Sequence, residues 1–494
     1  MFDCSTIIID ELSSNLWFSS EYNANNAWLY NAKNGNLNNN NKMNSNGVCG
    51  GLAFDYNGNR LSEFVSFYLY SANQEKLEKF IAFYASYLDD YRRTRKHKRG
   101  KDSQLVFEFH LQEFLIPLCW SIFNSEYVPK QSNYFVLPLP SIREVISAWF
   151  GDRIPQTRLV ANVMPLLEAH FFCPNSYSCR VGKGGLRAVL QLLEDIRAET
   201  KLYTLEAWIF KFDIKSFFTS VDVLLFFPIF VDFVKEHMPD SDLRNELLYL
   251  ARIIYLGYPQ ERCTMKGNLT LRKFVPEEKS LLGKTENIGL PVGNITNQMF
   301  CLMVTTFILR LLAAFGIKSI LYTDDDCGIT LDKRSFLRFF VWFKNEVYTR
   351  YHLRIHPKKF HLQYYKKSVN LLGFKIKYGQ LLLPGDRLVH NFKWKITCAI
   401  EKANRYSNYA FRTKESFVCT MCSYLGLLKW TASYNLRKAQ MHRLIASPWG
   451  KILEFDSVDY YKVSIKKSYT LLSAYIRKNK MRKKLLKQYE YELN

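Results

Sequence analysis

Three carboxylates stand where apolar runs would otherwise continue. Asp213 ends the β-like run WIFKFD just before a helix start, and Asp324 and Asp325 lie in ILYTDDDCGITL, where two apolar β runs flank an acidic turn. A single Asp at a strand end is ordinarily a solvated turn. Several carboxylates beside hydrophobic strands repel one another and are costly to bury unless something cationic holds them. Two Mg2+ ions do that, because hard cations take oxygens from two or three carboxylates and from substrate phosphates; Mn2+ is an alternative occupant. Such a pair activates an attacking hydroxyl and stabilises the leaving oxygen, so the chemistry indicated is phosphoryl transfer.

The elements that must position these residues are coarsely legible. From about 206 to 378, short β-rich runs (WIFKFDI, SILYTDDD, GITL, NLLGFKI) alternate with longer helices such as 295–315 and 335–351. That is the pattern of a sheet covered on one face by helices, an α+β or α/β fold. Residues 61–91 read as a helix with Phe64, Tyr68, Leu77, Phe80, Phe83 and Leu88 roughly on one face, ending in the basic run 91–101. Residues 105–128 read as another helix, and Pro129, Pro138 and Pro140 break the chain before strand, turn and helix resume over 142–168. After about 380 the strands give out, and 390–485 read helical and increasingly basic. Residues 13–60 are crowded with Asn and Gly, which predicts a loop-rich extension. The interleaved Trp17, Tyr22, Trp28 and Tyr30 exceed what a pure linker carries and suggest packing, on RNA among other surfaces.

A chain of 494 residues is too long for one core, so two to four domains or lobes are expected. Apolar residues make up 48% and charged residues 23%, which excludes wholesale disorder. Lys and Arg number 68 against 45 Asp and Glu, a formal net charge of +23. A polyanion is the expected partner, either nucleic acid or an anionic membrane. The membrane loses, because the best apolar run, Met299 to Leu309, stops at Arg310. The acidic N-terminus MFDCSTIIIDEL lacks the basic region of a signal peptide. Eleven scattered Cys fit reduced core thiols in a cytosol, so a cytoplasmic location is expected. Cys419 and Cys422 form a lone CxxC, read as core thiols rather than zinc ligands. His170, Cys173 and Cys179 follow no metal-site spacing, and GKGG at 182–185 lacks the Walker spacing.

Taken in order, the segments resemble the reverse transcriptases, the right-hand RNA-directed DNA polymerases. FDIKSFF is similar to their first palm motif, an Asp followed five positions on by a bulky residue. GLPVGNITNQMF resembles the glycine-rich motif that opens the next palm helix, and YTDD the tyrosine–x–Asp–Asp hairpin. HPKKFHLQ and NLLGFKI resemble the two motifs that follow it. Upstream, IREVISAWFGDRIPQTRLV and NSYSCRVGKGGLRAVLQLLE resemble the two fingers motifs. The match spans about residues 135–380. It implies an Asn-rich extension (1–60), a basic helical region (61–130), fingers (131–205), an α+β palm (206–380), and a helical thumb with a basic C-terminal region (381–494).

The resemblance implies roles residue by residue. Asp213 and Asp324 match the two metal-bridging carboxylates, Asp325 a neighbour with a smaller part, and the backbone carbonyl of Ile214 an additional ligand. Asp326 lies beyond the pattern and reads as solvated turn. Phe218 holds the steric-gate position, where a ring clashes with a ribose 2′-hydroxyl and so selects dNTPs. Arg180 and Lys183 match cations that clamp the incoming triphosphate, and Gln298 falls in the dNTP-binding motif. Arg143 and Arg153 hold template phosphates or fingers structure. Lys358 and Lys359 contact phosphate or are exposed turn lysines. Gly289, Pro291 and Gly293 let backbone approach the nascent base pair.

The glycine-rich motif narrows the branch. Retroviral and group II intron enzymes usually carry Gln before the second Gly and Ser-Pro at the end; here the positions read Val292-Gly293 and Asn297-Gln298. VGNITNQ resembles the variant of diversity-generating retroelements and of several bacterial defence-associated enzymes, with Asn297 departing from the expected Ser. The reading is a bacterial, cytosolic reverse transcriptase of the defence type. Its partners would be a non-coding RNA as template or scaffold, dNTPs, the DNA product, and a second copy or an accessory protein, with no membrane. One alternative is the polymerase of a diversity-generating retroelement, and the Asn-rich stretch resembles the tail of the proteins those elements diversify. Another is a catalytically silent nucleic-acid-binding scaffold, against which the intact Asp213, Asp324 and Asp325 argue. Arg92, Arg93, Arg95 and Lys96, and the ten Lys or Arg of 461–494, are solubilising faces or RNA grips. Tyr461, Tyr469, Tyr475, Tyr489 and Tyr491, interleaved with the latter, favour grips.

Overall fold

A computed structural model describes residues 8–10, 15–18, 26–31, 36–41, 74–96, 101–138, 141–285, 287–377 and 382–469. The expectations placed on residues 61–73, 97–100 and 470–494 lie outside them. In chain order come strands β1 (Ile8–Asp10), β2 (Asn15–Phe18), β3 (Asn26–Asn31) and β4 (Asn36–Asn41), then helices α1 (Gln74–Arg95), α2 (Asp102–Phe109) and α3 (Leu111–Phe123). Next are β5 (Ser132–Leu137), β6 (Arg143–Ser147), α4 (Arg153–His170), α5 (Gly185–Glu199), β7 (Trp208–Asp213), α6 (Val223–His237), α7 (Asp242–Leu256) and β8 (Cys263–Met265). The middle continues with α8 (Ile295–Ala314), β9 (Lys318–Tyr322), β10 (Asp325–Thr330), α9 (Lys333–Tyr351), β11 (His361–Tyr364), β12 (Val369–Leu371), β13 (Phe374–Ile376) and β14 (Leu382–Pro384). The chain closes with α10 (Asp386–Arg405), α11 (Tyr409–Leu428), α12 (Tyr434–Ile445), α13 (Trp449–Ile452), β15 (Leu453–Phe455) and β16 (Val463–Ile465). This is the expected mixture of helices and small sheets.

The chain divides into two compact units. The first holds 1–179, 213–311 and 340–357; the second holds 180–212, 312–339 and 358–494.

In the first unit, α1, α2, α3, α4 and α7 share a core containing Tyr87, Phe107, Leu115 and Leu250. A buried ion network ties three of these helices. The Arg158 guanidinium donates to Glu246 at 2.6 and 3.0 Å and to Asp90 at 3.1 Å, and the Tyr87 hydroxyl donates to Glu246 at 2.6 Å. Removing one partner of such a network strands a buried charge. Asp222 and Ser241 cap α6 and α7, each accepting from a backbone amide in the first turn. Helix α8 is long and apolar enough to cross a membrane, yet 72% of its apolar window is buried inside the chain. Its Phe300 packs on Tyr255 at 4.5 Å, and the Tyr255 hydroxyl donates to the Thr296 carbonyl at 2.9 Å. It is a core helix.

The Asn-rich segment, expected to be loop-rich, instead carries the antiparallel sheet β1–β2–β3–β4. The register explains the outcome. Leu16 pairs with Tyr30, Trp17 with Leu29 and Phe18 with Trp28, residue types that favour strands, and the Asn-rich β4 adds to β3.

In the second unit a four-stranded sheet runs β11–β7–β10–β9. Helix α5 packs on β9 and β10 through Ala188, Val189, Leu192 and Ile196. The helices α10–α13 close over Phe392, Met421, Leu425 and Trp449, whose indole N–H donates to the Ala399 carbonyl at 3.0 Å. Strands do not give out after 380, because β14 completes a three-stranded sheet with β12 and β13 and β15 pairs with β16. These three-residue strands are too short for a period-2 signal to stand out among helical patterns. Cys419 and Cys422 are exposed on α11 rather than in the core.

Candidate functional site

The hairpin β9–β10 is closed by the Tyr322–Asp325 pair, so its turn is only Thr323 and Asp324, with Thr323 at φ 63°. Asp325 already belongs to the strand. Its carboxylate lies 3.4 Å from Lys211 Nζ on β7. Asp326, expected in solvated turn, is completely buried. Its Oδ2 accepts from the Ser319 hydroxyl at 3.2 Å, while its Oδ1 has no partner. Burial pushes this carboxyl well above the usual carboxylate range. The expectation failed because side chains alternate along a strand: with Asp325 on one face, Asp326 must enter the other.

Two contacts give the direction of β7. Phe210 lies where a Cβ on Gly328 would approach to 2.4 Å, and Lys211 meets Asp325. Strand β7 therefore runs toward the turn end of the hairpin, and it ends on Asp213, which is buried. Phe210 also stacks on Phe336 of α9, with centroids 4.4 Å apart. The Asp213 carbonyl accepts from the His356 amide at 2.7 Å, and the Lys215 amide donates to the Arg354 carbonyl at 2.7 Å. These bonds form the bridge between Ile214 and Ile355, and neither uses the Ile214 carbonyl.

A cationic loop stands at the same end of this sheet. The Lys183 amide donates to the Arg180 carbonyl at 3.3 Å, and Gly182 and Gly184 take φ of 73° and 122°, values that glycine adopts freely. Val181 at the loop tip is fully exposed. Helix α5 follows at once. A Cβ on its first residue, Gly185, would lie 4.0 Å from the Tyr322 ring, while Glu199 at its other end pairs with Lys318 at 2.6 Å. The helix thus runs antiparallel to β9, with its first residue at the turn end of the hairpin. Lys358 and Lys359 are exposed, which fits phosphate contact and turn lysines alike.

The first unit joins two further motifs. The Leu290 amide donates to the Phe218 carbonyl at 2.6 Å and the Gly289 amide to the Val221 carbonyl at 2.7 Å. Phe218 is half-buried in a one-turn 3-10 segment beside Phe217. The glycine-rich segment is also clasped to β6. The Ile146 amide donates to the Val292 carbonyl, the Ala148 amide to Asn294 Oδ1, and Asn297 Nδ2 to the Pro291 carbonyl at 2.7 Å. Gly289 and Gly293 thus have a reason internal to the chain. A Cβ on Gly289 would come within 3.0 Å of Thr219 Cα, and one on Gly293 within 2.9 Å of Val145. Gln298 is exposed.

Several expected nucleic-acid contacts are engaged elsewhere. Arg153 donates to the Ala148 carbonyl at 3.2 Å and to the Ser147 hydroxyl, which is the structural half of its two readings. Arg92, Arg93 and Arg95 pair with Asp89, Asp90 and Glu108, because they fall within reach of acids one turn back or on α2. They are not a cluster of uncompensated cations. Arg143 and Lys96 are exposed. Sequence reasoning missed Lys211, although period 2 puts it on the Asp213 face. It also missed the cavity of about 50 Å3 lined by Tyr127, Lys130, Asp152, Gln156 and Asn294, whose residues are far apart in sequence.

No family profile matches the chain, and no curated protein matches it. Among solved structures it is similar to telomerase chains. An apo telomerase from Candida tropicalis truncated from its C-terminal domain shares 12% identity at a TM-score of 0.37, over 50% of this chain and 53% of that one. Telomerase from Candida albicans in complex with a fragment of telomeric RNA shares 8% at 0.40, over 65% and 62%. A further apo telomerase from Candida tropicalis shares 12% at 0.43, over 65% and 58%. The match spans between half and two thirds of the length of these chains, and at these scores the likeness assigns neither fold nor function.

Proposed function

We propose that this chain is an RNA-directed DNA polymerase of right-hand architecture, with fingers, palm and thumb. One observation carries the reading: an acidic turn and a glycine-framed cationic loop lie at the same end of one sheet. Among the described residues no three His, Cys, Asp or Glu side chains are gathered to hold a metal by themselves. Mg2+ asks less of the chain than that, since it takes one or two carboxylates and draws its remaining oxygens from substrate phosphates and water. Asp213 and Asp324 would hold two Mg2+, with Asp325 and the Ile214 carbonyl as lesser ligands. When bound, the ions lower the cost of forming the attacking 3′-oxygen and the leaving pyrophosphate. Arg180 and Lys183 bind and orient the triphosphate. Phe218 excludes the ribose 2′-hydroxyl, and Gln298 lines the nucleotide's approach.

The finer reading is a bacterial, cytoplasmic enzyme that copies or is scaffolded by a non-coding RNA in anti-phage defence. The test is incorporation of labelled dNTPs by the purified full chain with Mg2+ on primed RNA, together with sequencing of copurifying nucleic acid. DNase-sensitive product templated by RNA is expected. No incorporation on any RNA, the copurifying one included, contradicts the reading.

A further inference from the structure

The corner between α11 and α12 is held unusually firmly for a surface turn. Arg437 is buried, and its guanidinium bonds go to carbonyl and hydroxyl oxygens. It donates twice to the Asp459 carbonyl at 3.1 and 3.0 Å, and also to the Leu428 carbonyl and the Ser433 hydroxyl. Ser433 and Thr431 are buried too, and both hydroxyls donate to the Leu428 carbonyl at 2.8 Å. The Leu428 carbonyl stands at the end of α11, where the helix dipole is negative and favours a guanidinium.

What this rigid corner displays is aromatic and cationic. Trp430 is 54% exposed and Tyr434 44% exposed. Lys429 Nζ stands 4.8 Å from the Tyr461 ring centroid and 5.7 Å from that of Trp430. Tyr434 is propped edge-on by Tyr460 at 5.8 Å. A Trp left half in water forgoes much of the burial its ring can supply, and here the fold pays to hold that ring in place. Charge selects the occupant. Residues 386–469 contain fifteen Lys and Arg against six Asp and Glu, and Glu454 is the exposed acid nearest the corner in sequence.

We propose that this corner is a stacking site for an unpaired base of single-stranded RNA. The base lies on Trp430 or Tyr434, and Lys429 meets the adjoining phosphate. Every base presents a π-face, so rings beside a cation bind single strands with little sequence preference, whereas a duplex keeps its faces stacked. The proposal rests on the reading that the chain handles nucleic acid.

The experiment is binding of the full chain to a fluorescent 20-nucleotide oligo(U) and to a matched RNA duplex, without dNTPs or Mg2+, across a salt series. Trp430→Ala is expected to lose on the order of 10- to 100-fold in single-strand affinity and far less for duplex. Trp430→Phe should recover most of it, and Tyr434→Ala should reproduce part of the loss. Lys429→Gln should lower the single-strand salt slope by about 0.7. Equal single-strand affinity in folded Trp430→Ala and wild type overturns the proposal. So does an equal loss for duplex, which would mark a duplex-gripping face, and so does a failure of Trp430→Phe to restore binding. Binding is read apart from catalysis: a wild type that binds oligo(U) but incorporates no dNTP overturns the polymerase reading alone.

Discussion

Lys211 Nζ lies 3.4 Å from Oδ1 of Asp325, across the two central strands of the four-stranded sheet. The pair gives Asp325 a counter-charge from within the chain, in keeping with a lesser share in metal binding. Both side chains are a quarter to a third exposed, so the pair contributes only about 0.2–1 kcal/mol to stability. Its electrostatic effect on a divalent ion is the more informative quantity. Lys211→Met removes a positive charge beside the proposed metal ligands, so the Mg2+ concentration for half-maximal incorporation should fall about 2- to 5-fold. Lys211→Arg should leave it unchanged. A rise in the Mg2+ requirement of Lys211→Met would contradict this placement.

Gly293 adopts φ 130°, and a Cβ there would meet Val145 at 2.9 Å and the Ile146 carbonyl at 3.3 Å. Gly293→Ala combines backbone strain with a clash against β6, and should cost about 1–3 kcal/mol. Urea denaturation should show a lower midpoint with an unchanged slope. An unshifted midpoint would mean that the clasp between β6 and the glycine-rich segment is not formed.

Much of the candidate site was legible, for a physical reason. Carboxylates beside apolar β runs are anomalous in sequence, so Asp213, Asp324 and Asp325 stood out before any strand was placed. What alternation decides was missed. Asp326 looks like one more residue of an acidic turn, and only the Tyr322–Asp325 pair that closes the hairpin sends it into the core. Partnership across distant segments was also invisible. Arg158 with Glu246, and Tyr127 with Asp152, join residues that no local pattern links. The Asn-rich sheet was misread because composition hides the cross-strand register of Trp17 and Leu29.

Asp152 links folding to pH. Burial pushes its carboxyl up to about 6, although the Tyr127 hydroxyl at 2.8 Å and the Lys130 amide at 2.9 Å pull the other way. The folded chain therefore holds this proton more tightly than the unfolded chain, whose value is about 3.9. The stability it contributes is fully present below about pH 4 and is lost as pH rises through about 6, a fall of roughly 3 kcal/mol. Asp152→Asn should lack that slope between pH 4 and 7 in chemical denaturation. Parallel curves for the two proteins would show that Asp152 titrates normally.

Phe218 is half-buried, held by the Leu290 amide on its carbonyl and by the Phe217 ring at 5.5 Å. If its ring is the sugar gate, Phe218→Ala should raise the ratio of rNTP to dNTP incorporation by at least tenfold while slowing dNTP addition. Single-nucleotide extension with each sugar reads both effects. An unchanged ratio would move the gate to another residue.

The central claim is that Asp213 and Asp324 jointly hold the ions that drive phosphoryl transfer. The most direct measurement is Mg2+-dependent dNTP incorporation by Asp213→Asn and Asp324→Asn, each checked for wild-type folding by circular dichroism and for retained RNA binding. Loss of metal stabilisation amounts to several kcal/mol, and each 1.36 kcal/mol is tenfold in rate, so both variants should lose on the order of 1,000-fold or more. Incorporation at the wild-type rate by either folded variant would contradict the assignment.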